Sequence, residues 1–198
     1  MPPTPRSRLL QSARTLLTES GVESLTLRAI ARHAGVSHGA PLKHFPHRAA
    51  LLSAIATQGF RELAARTGDE LNALPPTAPP ARHLRTGLHA YAEFALASPE
   101  MFQLMFRQDL LDPTDEELRE AGTAAFTPLL TGVRNLQTTG WQREADPLLL
   151  AGALWSSVHG LAQLWSWGSL PYATTATSMD QIYDTLCQAL GLNATDPA

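Results

Sequence analysis

Residues 27–45 read LRAIARHAGVSHGAPLKHF, two short helical runs on either side of Gly35-Val36-Ser37. Thr26 stands where the first run, about Leu27–Ala34, needs an N-cap, and Leu27, Ile30 and Ala31 share one face. Gly35 supplies a turn, Val36 an apolar anchor and Ser37 a second N-cap. The second run, about His38–Phe45, is stopped by Pro46. Two short helices joined this tightly form a helix-turn-helix. Ile30, Ala31, Val36 and Leu42 are expected to hold the pair together. The second helix then offers its N-terminal residues to base edges in a major groove, while helix N-terminal amides face phosphates. Gly39 and Ala40 are small enough to let backbone approach DNA, and Pro41 falls at the edge of the first turn.

Upstream, Arg6–Ser20 carry Leu9, Leu10, Ala13, Leu16 and Leu17 on one face, closed by Gly21 as a C′ glycine. Downstream, a long helix is predicted over about Arg48–Leu71, followed by a proline-rich joint, LPPTAPP at 74–80. Further helices are predicted at about 81–97, 98–106, 114–139, 146–168 and 179–190. Thr114-Asp-Glu-Glu117 reads as a capping box. Alternating β-branched runs are absent, so the chain is expected to be all-α, with about nine helices.

Charge is divided along the chain. Residues 1–50 hold seven Lys or Arg against Glu19 and Glu23, a net of +5, and four of the seven histidines. Residues 51–198 hold eight basic against sixteen acidic residues, a net of −8. Such asymmetry points to a polyanion partner for the N-terminal part. The single cysteine, Cys187, fits a reducing compartment. The N-terminus lacks an apolar signal-like segment, and the most apolar run, Leu148–Trp155, is too short to span a bilayer. A cytoplasmic location and no membrane partner are expected. No HExxH, paired-cysteine set, phosphate-cradling glycine loop or GxSxG occurs, so an enzyme is the minor alternative. No cofactor is expected. His83 and His89 are the nearest approach to metal ligands, and the sequence gives them no companions.

The run from Leu9 to Leu52, LLQSARTLLTESGVESLTLRAIARHAGVSHGAPLKHFPHRAALL, resembles the DNA-binding domain of the tetracycline-repressor (TetR) family of bacterial regulators. Ala13, Gly21, Thr26, Ile30-Ala31, Gly35-Val36-Ser37, Gly39, His44-Phe45, Arg48 and Leu51-Leu52 occur in the family's order and spacing. The resemblance implies that Thr26, Ser37, His44 and Arg48 touch phosphates. It places Arg28, His38, Gly39, Ala40, Pro41 and Lys43 at or near base edges. Arg28 has the planar donor needed for guanine O6 and N7. The chain departs from the pattern at Leu42, where the family usually carries a phosphate-bonding Tyr, and at His47, which replaces the usual Ser or Asn cap.

The resemblance further implies an N-terminal three-helix helix-turn-helix domain over 1–50 and a C-terminal helical domain over 51–198 that binds a ligand and dimerises. SPEMFQLMF (98–106) and LWSSVHGLAQLW (154–165) resemble the subgroup with a Trp, His-Gly signature. The helix near 146–168 is apolar nearly all round and should be buried on two sides, one of them against a twin subunit. Leu150, Leu154, Val158, Leu161 and Trp165 form its expected dimer stripe, joined by Ile182, Leu186 and Leu190 in a four-helix interface. Phe102, Met105, Phe106, Phe126, Trp141 and Trp155, with His159 as a polar contact, are expected to line a pocket for a small apolar effector. The expected function is a ligand-responsive repressor that binds a palindromic double-stranded operator as a homodimer. An activator on the same fold is the alternative.

Overall fold

The computed structural model describes residues 4–192, so the outermost residues of both expected domains, 1–3 and 193–198, lie outside it. All regular structure among the described residues is helical, in nine α-helices and two short 3-10 turns. Helix α1 (Pro5–Ser20) starts under Thr4, whose hydroxyl accepts from the Ser7 amide. It ends at Gly21, where φ of +72° suits glycine and the amide returns to Leu17 O. Helix α2 (Leu27–His33) starts under Thr26, whose hydroxyl accepts from the Ala29 amide at 3.1 Å. The turn after it passes through Gly35 at φ +66°. The next helices are α3 (Arg48–Asn72), α4 (Pro80–Ala97), α5 (Pro99–Met105) and α6 (Glu116–Gln137). Helices α7 (Pro147–Ser166), α8 (Ser169–Ala173) and α9 (Met179–Ala189) complete the chain.

The total of nine agrees with the sequence, but the members differ. The run expected as a helix over 38–45 is a turn followed by a single 3-10 turn, Pro41–Lys43. The cause is Pro41: it has no N–H to give Ser37 O, and the Ala40 amide takes that carbonyl instead at 2.9 Å. Ser37 is therefore not the second N-cap expected: Ala40 precedes the 3-10 turn, which has no side-chain cap. Leu42 does not hold the two segments together. It is 56% exposed, and Pro41 and Phe45 are the buried residues there. The short α8 has no counterpart among the helices expected from the sequence. Asp115, not Thr114, caps α6 through the Leu118 amide, because Thr114 is engaged by Asp112.

The chain packs as two compact units, and these do not follow chain order. One holds the described residues up to Glu62 together with Ser98–Thr123; the other holds Leu63–Ala97 and the described residues from Ala124 on. In the first, Leu9, Leu17, Leu25, Ile30, Leu51, Leu52 and Ile55 are fully buried. Met101 and Met105 of α5 pack against α3 at Gly59, where any side chain would meet their sulfurs. The buried Ser53 hydroxyl accepts the Asp112 amide at 2.9 Å and ties the loop after α5 to α3. In the second, α4, α6, α7 and α9 share a core of Leu84, Leu88, Val133, Ala151, Leu154, Val158, Met179, Tyr183 and Cys187. No helix among the described residues is long and apolar enough to cross a membrane.

Candidate functional site

The basic surface is built around the turn between α2 and the 3-10 segment. Arg28 sits in the first turn of α2, exposed, and has no ion-pair partner among the described residues. Lys43 closes the 3-10 turn, also exposed and also without an ion pair among them. Ser37, His38 and Gly39 are exposed, Ala40 is half-buried and His44 is exposed at the end of the segment. Thr26 Oγ1 accepts from the Ala29 amide, which leaves its O–H available as a donor. Pro41 is buried, so it shapes this surface from behind. His47 caps α3: its Nδ1 accepts from the Ala50 amide at 3.1 Å.

Arg48 is placed differently from the rest. Its Nε donates to Leu25 O at 2.6 Å and its Nη2 to Val22 O at 2.8 Å. These bonds fasten the start of α3 to the 3-10 turn before α2. Two of its donor groups are thereby committed to backbone carbonyls rather than to a ligand. Hydrogen bonds from a charged donor contribute about 1.5–3 kcal/mol, so Arg48→Ala is expected to lower stability by about 2 kcal/mol. Arg48→Lys is not expected to rescue it, because an ammonium lacks the fork that spans both carbonyls. Denaturant unfolding of both variants checks this. A midpoint unchanged in Arg48→Ala would show that the bonds carry no stability.

The residues expected around an effector fall into two groups. Phe102 and Met105 are buried in the first unit, and Phe102 meets Phe106 edge-on at 5.1 Å. Phe106 also packs edge-on against Phe60 at 5.6 Å. Phe126, Trp141, Trp155 and His159 lie in the second unit. Trp141 donates its indole N–H to Leu190 O at 3.1 Å, away at the end of α9. Trp155 and His159, one turn apart on α7, converge on Tyr91 of α4, a residue absent from the set expected by sequence. Trp155 Nε1–H donates to Tyr91 Oη at 2.9 Å, and Tyr91 Oη shares a hydrogen bond with His159 Nδ1 at 2.7 Å. Burial pushes the Tyr91 phenol well above its ordinary range and holds His159 below its own, so both are neutral near pH 7. Phe126 covers Trp155 edge-on at 5.8 Å. The sequence signal for Tyr91 is slight: one aromatic on a helix that otherwise reads as core.

The expected dimer residues also divide. Leu154, Val158 and Leu161 are buried within their own chain. Leu150, Trp165, Ile182, Leu186 and Leu190 are half-buried against that core. Helix α7 leaves apolar surface open at Leu149 (74% exposed) and Leu164 (41%), which share a neighbouring stripe with Trp167 (65%) just after the helix, and at Leu148 (56%) beside it.

Residues 9–55 match the family described as bacterial regulatory proteins, tetR family, and residues 84–190 match the tetracyclin repressor-like C-terminal domain. No curated protein matches the chain. Among solved structures, a protein with unknown function from Rhodococcus sp. RHA1 is 30% identical, with a TM-score of 0.82 over 95% of this chain and 94% of its own. The TetR-family regulator PfmR from Thermus thermophilus is 21% identical, with a TM-score of 0.68 over 96% of this chain and 100% of its own. The fatty acid degradation regulator FadR from Bacillus halodurans is 12% identical, with a TM-score of 0.72 over 96% of each chain. The last two likenesses are likenesses of fold.

Proposed function

The chain belongs to the tetracycline-repressor family of bacterial regulators, and from that premise we propose that it is a homodimeric repressor released from its operator by a small apolar or amphipathic molecule. It is a DNA-binding regulator and not an enzyme. DNA recognition in this proposal rests on a pair of cations, Arg28 and Lys43, on either side of the helix-turn-helix turn and without ion pairs among the described residues. Arg28 reads guanine through its fork. Thr26, Ser37 and His44 hold phosphates, and the small residues Gly39 and Ala40 let the backbone come close. The exposed Leu42 takes the place of a hydroxyl donor and offers apolar surface to a thymine methyl.

Dimerisation runs through the open stripe of α7. Leu149, Ala153, Ser156, Gly160, Leu164 and Trp167 recur at intervals of three and four and so share one helix face. Its middle is small, which permits close approach of two helices, and its ends are large and apolar. Ile182, Leu186 and Leu190 of α9 flank it in a four-helix arrangement. Two-fold symmetry then sets recognition segments about 34–36 Å apart, one DNA turn, on a palindromic site. Effector binding engages Tyr91, Trp155, His159 and Phe126. It favours a conformer with a different spacing, and α3, which contributes residues to both units, carries the change.

Purified transcription from the promoter upstream of the protein's own gene tests the regulatory sign. Transcript is expected to fall as dimer is added. A rise would replace repression with activation.

A further inference from the structure

Helix α4 carries His89 and Glu93 one turn apart, and Asp180 stands in the first turn of α9. His89 Nε2 lies 2.9 Å from Asp180 Oδ1. One ligand atom from each of the three side chains falls within 4.8 Å of the other two. We propose that His89, Glu93 and Asp180 bind one divalent transition-metal ion, a site separate from the DNA and effector surfaces. His83, the other histidine of this helix, faces Pro79 O at 3.3 Å and takes no part.

The chemistry of the set fits such an ion. Two carboxylates neutralise its charge, and an imidazole supplies the nitrogen that favours zinc, cobalt or nickel over calcium. The imidazole is held in place. Its ring meets Tyr183 edge-on at 5.2 Å, and the buried Tyr183 is itself fixed by a bond from its hydroxyl to Arg85 O. The carboxylates have room to turn inward, since Asp180 and Glu93 have 61% and 40% of their side-chain surface exposed. Metal–ligand bonds of about 2.0–2.2 Å require the donors to close by roughly an ångström, within reach of one side-chain rotation. His89 and Glu93 line a groove of about 490 Å³, from which water can complete the coordination. Glu70 and Asp184 add negative charge to the groove, and three arginines line it as well. Arg85 is paired with Asp184 at 2.8 Å, and Arg66 reaches Glu93 only at 3.7 Å, too far for a hydrogen bond that the metal would have to break. Arg82 lies seven positions before His89 on α4, about 10 Å along the helix.

An ion held this way cross-links α4 to α9, so its binding raises the thermal midpoint by mass action. The test titrates untagged full-length protein with Zn²⁺ by calorimetry and with Co²⁺ by visible absorption. One ion per chain and a raised midpoint are expected. Asp180→Asn and Glu93→Gln, which change partly exposed groups on different helices, should each weaken binding about tenfold or more, since even changes to groups behind the ligands cost about 10–100-fold. His83→Gln should bind as the unaltered chain does. The proposal is overturned if no stoichiometric ion binds, if both carboxylate variants bind with unchanged affinity, or if His83→Gln alone abolishes binding.

Discussion

Arg28→Ala is expected to remove selective DNA binding from a protein that remains fully folded. The side chain is exposed in the first turn of α2 and makes no ion pair among the described residues, so its loss should leave stability within about 0.5 kcal/mol. Its contribution lies in the complex. A bidentate contact to guanine discriminates by about 1–3 kcal/mol, and a symmetric dimer makes it twice, so about 2–6 kcal/mol is at stake. That corresponds to a loss of about 30-fold to 10⁴-fold on the specific site. Binding to random DNA should weaken far less, because phosphate contacts from the other exposed cations persist. Competition titrations with specific and random duplexes separate the two quantities. An equal loss on both would make Arg28 a phosphate contact and shift specificity to Lys43 and Leu42.

The second large effect concerns assembly. Leu149→Glu combined with Leu164→Glu should convert the dimer to a monomer. Both side chains already meet solvent in the single chain, so neither change opens a hole in its core. In the dimer each leucine contributes about 1.5–3 kcal/mol if fully buried, and each occurs twice. Charges left unpaired in that interface add a further penalty. Weakening of dimerisation by about 100-fold or more is expected, read by sedimentation at micromolar concentration. Operator affinity should fall with it, since one recognition segment alone makes half the contacts. Leu154→Ala is the contrasting change. At 3% exposure Leu154 belongs to the chain's own core, and its truncation should cost about 2–5 kcal/mol of stability. A double variant that stays dimeric would place the interface elsewhere.

What is legible in the sequence is mostly local. Thr26, Gly21 and the spacing of Leu9, Leu10, Ala13 and Leu17 announce α1 and α2, because caps and helical periodicity act within a few residues. Pro41 is equally visible, and its effect is larger than its place near the first turn suggests: a missing N–H in the second segment turns an expected helix into a 3-10 turn. The dimer stripe rests on apolarity alone. An all-round apolar helix does not say which of its faces the chain itself will cover, and here the core takes Leu154, Val158 and Leu161. The Tyr91–Trp155–His159 contacts and the His89–Glu93–Asp180 cluster join residues more than sixty positions apart, and only the packing of α4 against α7 and α9 brings them together. Local signals carry no such information.

Fluorescence anisotropy on a duplex selected from a random library by the full-length protein, repeated from about 50 to 200 mM salt, measures operator recognition itself. The prediction is a palindromic site, two chains per duplex, and affinity that falls steeply with salt yet stays far above that for shuffled sequence. A selection that yields no shared site, with binding equal on selected and shuffled DNA at every salt concentration, would contradict it.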